Sequence, residues 1–160
     1  IVRKSIFDTL QNEVFNVVFI EMFAGSGSVG FEALSRGASK IIFFENNPIA
    51  IQTLKKNRQT FPDENIEIIA GDSFENLPNK INKIDEKIII YIDPPFSIRK
   101  DMENIYKKIY DLFNQINDSK IEIAILEQLS DEVAPEILGN LINSKNKKFG
   151  KTTLRYFKKQ

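Results

Sequence analysis

Short apolar runs alternate along the chain with segments whose apolar residues recur every three or four positions. An unbroken apolar run is typical of a strand buried on both faces, and the three-and-four spacing is typical of a helix with one buried face. The pattern predicts five strands, which cover residues 17–20, 41–44, 66–70, 88–92 and 121–126. Because strands and helices alternate, we expect right-handed crossovers and a mostly parallel sheet with helices on both faces. The chain is therefore predicted to have an α/β fold.

The helical spacing predicts helices around these strands. They cover about residues 3–11, 30–36, 48–54, 102–116 and 133–142. Residues 76–87 are polar and contain Pro78, so we expect a surface connection without regular structure there. Residues 147–160 hold Gly150 among aromatic and aliphatic residues and are predicted to form an antiparallel hairpin. With no internal repeat and no dividing linker, residues 1–160 are expected to form a single domain.

The strand predicted at 88–92 runs directly into Asp93-Pro94-Pro95-Phe96. The prolines lack backbone N–H groups and cannot continue a sheet, so the strand ends in a stiff corner. Open α/β sheets bind ligands at the carboxyl ends of their strands, where this corner lies. The Asp93 carboxylate and the Pro94 carbonyl can accept the two hydrogens of a planar amine, while Phe96 stacks on the ring that bears it. The structural alternative is a proline turn in which Asp93 caps the following helix.

A glycine-rich loop, Gly25-Ser26-Gly27-Ser28-Val29-Gly30, lies between the first predicted strand and a helix. This G-x-G-x-x-G pattern permits a tight turn and a close approach of the backbone to a ligand, and the helix N-terminus presents free N–H groups to an anion. Glu45 follows the second strand, where an acid can bind ribose hydroxyls. The pattern alone does not distinguish a dinucleotide from another adenosine cofactor, and its structural alternative is a glycine turn used only for packing.

Two further acids lie at predicted strand ends. Glu21, at the end of the first strand, suits a ligand that bears an amine or a positive charge, whereas a pyrophosphate would not favour a carboxylate there. Asp72 follows the third strand. It can accept a hydrogen bond from an adenine amino group or cap the next helix, and the sequence leaves both roles open.

Composition limits the chemistry that these residues can support. The chain has no His and no Cys, which removes the commonest general base, the commonest transition-metal ligand and any disulfide, so no metal is expected. No apolar run approaches the ~20 residues of a membrane-spanning helix, so no membrane partner is expected. Residues 145–160 carry seven Lys or Arg and no acid, whereas the rest of the chain carries 15 basic and 22 acidic residues. This basic end suggests local contact with a polyanion, and a solvated tail is an equally weighted alternative.

Several segments taken together resemble a known family. They are Glu21-Met22-Phe23-Ala24-Gly25-Ser26-Gly27 with Gly30, Glu32-Ala33-Leu34-Ser35-Arg36-Gly37-Ala38, Val2-Arg3-Lys4-Ser5-Ile6-Phe7, Glu45, Asp72 and Asp93-Pro94-Pro95-Phe96. The set is similar to the class I S-adenosylmethionine-dependent methyltransferases that modify exocyclic amines. More narrowly, it resembles the bacterial 16S ribosomal RNA guanine-N2 methyltransferases of the RsmD type. In that family more sequence usually precedes the Val2-Arg3 segment, so an N-terminal extension is expected to be missing here.

The resemblance implies a Rossmann-like class I methyltransferase sheet, mostly parallel, with a C-terminal antiparallel hairpin and helices on both faces. It implies transfer of a methyl group from S-adenosylmethionine to the N2 amine of a guanine in ribosomal RNA or in an assembling small ribosomal subunit. The residues expected to act on the methyl acceptor are Asp93, Pro94 and Phe96. The residues expected to bind the cofactor are Glu21, Phe23, Gly25, Gly27, Glu45, Asn46, Asp72 and Ser73. The residues expected to contact RNA are Lys147, Lys148, Lys151 and Arg155. The protein is expected to be a cytoplasmic monomer.

Three other functions remain open at the level of sequence. A methyltransferase that acts on DNA adenine or on a protein glutamine side chain has similar motifs, although such relatives more often have Asn at the position of Asp93. A dinucleotide-dependent oxidoreductase would use the Gly25–Gly30 loop, but it leaves Glu21 and Asp93–Phe96 unexplained. A non-catalytic RNA-binding domain is suggested only by the basic end of the chain.

Overall fold

The structure, a computed structural model, describes residues 1–61, 65–95 and 105–160. The helices in these ranges are α1 (Val2–Leu10), α2 (Ser28–Ser35), α3 (Pro48–Arg58), α4 (Ser73–Asn82) and α5 (Ile105–Gln115), and a 3-10 turn at Gln11–Val14 follows α1. The strands are β1 (Val18–Glu21), β2 (Lys40–Glu45), β3 (Ile66–Ala70), β4 (Ile88–Ile92), β5 (Ile121–Leu129), β6 (Ile137–Leu138), β7 (Leu141–Phe149) and β8 (Thr152–Lys158).

The described strands form one sheet in the order β3-β2-β1-β4-β5-β8-β7-β6. Neighbouring strands from β3 to β5 are parallel. The β5–β8, β8–β7 and β7–β6 pairs are antiparallel. The predicted mostly parallel sheet with a C-terminal antiparallel hairpin is therefore confirmed.

The centre of the sheet is β4, whose five residues are all buried. Ile89 and Tyr91 face one hydrophobic core, which also contains the buried residues of α1 and α2. Ile88, Ile90 and Ile92 face a second core, which contains the buried residues of α5 and Leu77 and Ile81 of α4. Helices on both faces thus explain why this strand is an unbroken apolar run in the sequence.

Helices α3 and α4 begin at side-chain caps, whereas α2 does not. The Asn47 side chain accepts hydrogen bonds from the first turn of α3, and Pro48 fits there because that position needs no N–H donor. Asp72 accepts the Phe74 N–H at the start of α4. At α2 the N-cap is Gly27, which offers no side-chain cap. The N-cap of α2 therefore offers no side-chain acceptor, and in this first turn the Gly30 N–H is accepted instead by Glu21 of β1.

The expectation of an irregular connection at residues 76–87 is wrong over its first half, because α4 continues to Asn82. Leu77 and Ile81 are four positions apart and are both buried against the sheet, which supplies the stability that this polar segment seemed to lack. Pro78 lies inside α4, and an interior proline ordinarily costs a helix about 3 kcal/mol. Burial of one apolar face outweighs that cost here.

The helix predicted at residues 133–142 is also wrong. Residues Ile137–Leu138 form β6, and Leu141 already begins β7, so a hairpin replaces the helix. Leu138 and Leu141 face each other across a two-residue turn, and both are buried. Gly139 in that turn has φ 62°, which glycine adopts without strain. Leucines three positions apart fit either a helix or a tight hairpin, and the Gly-Asn pair between them is the signal that favoured the hairpin.

Candidate active site

The carboxyl ends of the parallel strands bring acidic side chains to one edge of the sheet. Glu21 ends β1, Glu45 ends β2, and Asp93 directly follows β4. Glu127 lies near the end of the neighbouring β5. Ligands of open α/β sheets bind at this edge, so three predicted residues and one that was not predicted surround the same candidate cleft.

The glycine loop between β1 and α2 is shaped by two residues with positive φ. Gly25 has φ 57° and Gly27 has φ 81°. A Cβ added at Gly25 would meet nothing within 4 Å, whereas one at Gly27 would lie 2.6 Å from Leu54 Cδ2. A Cβ at Gly30 would collide with Phe43 and lie 2.9 Å from Glu21 Oε2. Gly27 and Gly30 are therefore needed for packing, while Gly25 borders open space at the sheet edge.

The Glu45 carboxylate ties this loop to the end of β2. Its Oε1 accepts the Gly25 N–H at 2.7 Å, and its Oε2 accepts the N–H groups of Asn46 and Asn47 at 3.0 Å and 2.8 Å. Glu45 is half-buried, and Asn46 is exposed beside it. Because each carboxylate oxygen has two lone-pair directions, Glu45 retains acceptor capacity for a ligand.

Glu21 is almost fully buried, with 3% of its surface exposed, and its Oε2 accepts the Gly30 N–H at 2.9 Å. Burial, together with the charges of Asp93 and Glu45, raises the pKa of Glu21 to about 8. The Gly30 hydrogen bond alone acts to lower this pKa. The side chain thus anchors the first turn of α2 onto β1. This placement gives Glu21 a structural role that the sequence did not predict.

The other residues expected to bind a cofactor lie at the ends of β1 and β3. Asp72 caps α4 by accepting the Phe74 N–H at 2.8 Å, which is one of the two roles left open by the sequence. Ser73 is buried behind it. The rings of Phe23 and Phe74 meet edge to face with their centroids 6.0 Å apart, and both are partly buried. They form an aromatic wall next to Asp72 that the sequence indicated only through Phe23.

The corner after β4 places Asp93 and Pro94 at the cleft. Asp93 is half-buried and Pro94 is buried, while Pro95 is exposed. Burial, followed by the charge of Glu127, raises the pKa of Asp93 to about 7. A carboxyl group with this pKa exchanges its proton near neutral pH, which is the property that a general base needs. Phe96 lies outside the described residues.

Tyr91 and Glu127 also lie at this edge of the sheet, although no motif in the sequence indicated them. The Tyr91 hydroxyl donates to Glu127 Oε1 at 2.7 Å. Burial, followed by the charges of Asp93 and Glu127, raises the pKa of Tyr91, so the hydroxyl keeps its proton and remains a donor. Both residues lie within apolar strands, and the predicted fifth strand ended at Leu126. Only the pairing of β4 with β5 brings them together.

The basic C-terminal hairpin presents some of its predicted cations and uses others internally. Lys148 and Lys151 are exposed. Lys147 is half-buried, and its Nζ donates to Thr9 Oγ1 of α1 at 2.7 Å. The expectation that Arg155 lies on this surface is wrong, because Arg155 is 8% exposed and its Nε donates to Gln128 Oε1 at 2.8 Å. Local charge in a sequence does not reveal that both faces of this strand are covered.

Within the described ranges, none of the helices combines the length and the apolar character needed to cross a membrane. The same residues contain no group of three or more His, Cys, Asp or Glu side chains arranged to hold a metal ion. The acidic residues at the sheet edge are thus not gathered into a recognisable metal centre in this part of the chain.

The chain as a whole is similar to known proteins. The family described as "Conserved hypothetical protein 95" matches residues 1–158. A Haemophilus influenzae protein named "Ribosomal RNA small subunit methyltransferase D" is 37% identical over 97 residues, which cover 59% of this chain and 50% of that protein. A Bacillus subtilis protein named "Putative rRNA methyltransferase YlbH" is 27% identical over 163 residues, which cover 96% of this chain and 86% of that protein. The match thus spans about half the length of the first relative and most of the second.

A solved structure is similar to this chain in its fold. The crystal structure described as a "putative methylase" from Haemophilus influenzae superposes with a TM-score of 0.79 at 28% sequence identity. The match covers 100% of this chain and 89% of that one. The fold of this chain is therefore shared with that structure.

Proposed function

This chain belongs to the Conserved hypothetical protein 95 family, and on that premise we propose that it transfers a methyl group from S-adenosylmethionine to the N2 amine of a guanine in small-subunit ribosomal RNA. The resemblance to RsmD-type methyltransferases is confirmed by the named relatives. The observation that carries the proposal is the Asp93-Pro94 corner, which sets a carboxylate and a carbonyl beside the glycine loop at one sheet edge. We further propose that the protein acts as a cytoplasmic monomer.

The residues at the sheet edge fit the cofactor. Gly25 borders open space, and the start of α2 has no side-chain cap, so the loop can receive a ligand against its backbone. Glu45 has acceptor capacity for ribose hydroxyls, and Asp72 can accept from an adenine amino group beside the aromatic wall of Phe23 and Phe74. When bound, S-adenosylmethionine supplies an electrophilic methyl group whose carbon–sulfur bond breaks as the acceptor nitrogen forms its new bond.

The chain's own residues orient the acceptor. A guanine amine is a poor nucleophile because its lone pair is delocalised into the ring. Hydrogen bonds from its two N–H groups to Asp93 and to the Pro94 carbonyl would hold the nitrogen in place and stabilise the positive charge that grows on it. Holding both reactants at attack distance can supply about 7–11 kcal/mol. With its pKa near 7, Asp93 can then take the proton that the nitrogen releases.

The RNA partner would be held by exposed cations of the C-terminal hairpin. Neither Lys148 nor Lys151 forms a salt bridge with a described residue, and both face solvent, so they are the side chains best placed to contact phosphates. Lys147 can contribute if it exchanges its hydrogen bond with Thr9 for a phosphate. This hairpin lies at the far end of the sheet from β2 and β3, so RNA bound there would approach the cleft from the β5 side.

The proposed function is tested by methyl transfer in vitro. The protein is incubated with methyl-labelled S-adenosylmethionine and with small-subunit RNA or particles that lack the modification, and the nucleosides are then separated. We expect labelled N2-methylguanosine. Asp93→Ala should lower turnover about 100- to 1,000-fold, the scale of one preorganised contact to transition-state charge, while binding of S-adenosylhomocysteine stays nearly unchanged.

A matched control is Asp85→Ala, because Asp85 is an exposed acid that precedes the opposite end of β4. It should leave turnover unchanged. Label in a different nucleoside, or an Asp93→Ala protein that methylates at close to the parent rate, would contradict the proposed function.

A further inference from the structure

The Glu127 carboxylate lies beside Asp93, yet the reaction described above gives it no role. The last register pair of β4 and β5 joins Ile92 to Leu126, so Asp93 and Glu127 are the next residues on two adjacent parallel strands. Both are half-buried. The charge of Glu127 is close enough to influence the titration of Asp93. The cleft therefore offers two carboxylates to whatever ring enters it.

Tyr91 fixes the Glu127 side chain in this position. Its hydroxyl is held on a fully buried strand and donates to Glu127 Oε1 at 2.7 Å. Within the described part of the chain, Oε2 of Glu127 accepts no hydrogen bond. One oxygen thus anchors the carboxylate, and among the described residues the other has no donor, so it can accept from a ligand. A side chain held in this way discriminates between ligands better than a mobile one, because its orientation is already set.

The hydrogen-bonding edge of guanine matches this arrangement. Guanine presents its ring N1–H next to the two N–H groups of its N2 amine, so three donors lie in a row. Adenine presents one amine next to N1, and its N1 is an acceptor with no hydrogen. A carboxylate that faced this N1 would be repelled, because both atoms carry lone pairs. Leaving a buried polar group unpaired in this way is how protein sites reject a near-isosteric ligand strongly.

We propose that Glu127, held by the Tyr91 hydroxyl, accepts the ring N1–H of the target base and thereby selects guanine. Asp93 and the Pro94 carbonyl then take the two hydrogens of the N2 amine, so every donor on that edge has a partner. This inference rests on the proposed function and adds a specificity determinant to it.

The test compares guanosine with 2-aminopurine riboside at the methylated position, introduced into the RNA by ligation. Both bases carry the 2-amine, but N1 of 2-aminopurine is an acceptor. Glu127→Gln keeps the side-chain shape and can still accept from Tyr91, while its amide can donate to N1. We expect the ratio of kcat/KM for guanosine to that for 2-aminopurine to fall about 10- to 100-fold, as expected for one hydrogen bond to a charged group.

The ratio isolates the specificity effect. Any influence of Glu127 on Asp93 cancels in it, because Asp93 contacts the amine that both bases share. A purely structural role for Glu127 would lower both values equally and leave the ratio unchanged, which would overturn the inference. Glu122→Gln, at the opposite end of β5, is the matched control and should not change the ratio.

Tyr91→Phe provides a second route to the same conclusion. It removes the hydroxyl that orients Glu127 without adding a polar group, so it should lower the ratio in the same direction but by less. An unchanged ratio in a folded Tyr91→Phe protein would equally overturn the inference. If the parent protein methylates no guanosine at all, the proposed function itself has failed. If it does so with a ratio that Glu127→Gln leaves unchanged, only this inference has failed.

Discussion

Replacing Gly25 with alanine adds one methyl group at the point where the glycine loop borders the candidate cleft. Gly25 has φ 57°, and a Cβ there would meet no atom within 4 Å. The substitution therefore creates no clash inside the protein. Its cost to the fold is the strain of a left-handed backbone conformation, which is about 1–2 kcal/mol for a residue with a Cβ.

The same methyl group would lie where a ligand approaches the loop backbone. We therefore expect Gly25→Ala to lower the free energy of unfolding by about 1–2 kcal/mol, while affinity for S-adenosylhomocysteine falls at least about 10-fold, the effect of roughly 1.4 kcal/mol of lost contact. Urea denaturation measures the first quantity, and titration calorimetry measures the second. The two effects are separate because the strain acts on the fold and the methyl group acts on the ligand.

The chain offers a closely matched control at Gly150, in the turn between β7 and β8. Gly150 has φ 60°, and an added Cβ there also meets nothing within 4 Å. Gly150→Ala should therefore cost a similar amount of stability but leave S-adenosylhomocysteine binding unchanged. If Gly25→Ala binds S-adenosylhomocysteine as tightly as Gly150→Ala does, the open space at Gly25 is not where the cofactor lies.

Three further outcomes follow from the charges of the site and the hairpin. The methyl-transfer rate should rise with pH to a plateau with a midpoint near 7, because Asp93 can take up the proton that the amine releases only when its carboxylate is ionised, and Asp93→Asn should lack that midpoint. Burial raises the pKa of Glu21 from 4.5 to about 8, so the folded state binds more protons than the unfolded state between these values. The urea midpoint should therefore fall as pH rises through that window. Glu21→Gln should reduce this fall and leave the part that comes from the raised pKa of Asp93, and an equal fall in Glu21→Gln and the parent would refute this. Neutralising Lys148 and Lys151 should weaken RNA binding. It should also reduce the slope of the logarithm of the binding constant against the logarithm of salt concentration by roughly 0.7–0.9 per lost phosphate contact. Neutralising two exposed lysines of α3 should change neither quantity.

The central part of the site could be predicted because its signals are local. The segment that leads into Asp93-Pro94 contains an apolar strand, the prolines that end it and the acid beside them. In the Gly25–Gly30 loop, the glycines themselves indicate the turn. Each of these two segments follows a predicted strand. Because the carboxyl ends of parallel strands meet at one edge of a sheet, the sequence was enough to predict that they lie close together.

The remaining residues could not be predicted because their roles depend on register. Tyr91 and Glu127 lie in apolar strands 36 residues apart, and only the pairing of β4 with β5 makes them neighbours. Arg155 belongs to a basic segment, but it lies on β8, where the residues from Thr153 to Phe157 are all buried. In both cases the sequence shows charge and spacing but not which strands become neighbours in the sheet.

The same limit applies to the two misassigned elements. Pro78 suggested an interruption, but Leu77 and Ile81 bury enough surface to keep α4 intact. Leu138 and Leu141 fitted a helix as well as they fit the hairpin that they form. In each case tertiary burial decided between two local patterns of similar plausibility.

The most direct test of the account is mass spectrometry of nucleosides from small-subunit ribosomal RNA, compared between cells with and without the gene for this chain. The account predicts that one N2-methylguanosine disappears with the gene and returns with the parent sequence but not with Asp93→Ala. Unchanged N2-methylguanosine, together with the loss of a different modification, would contradict it.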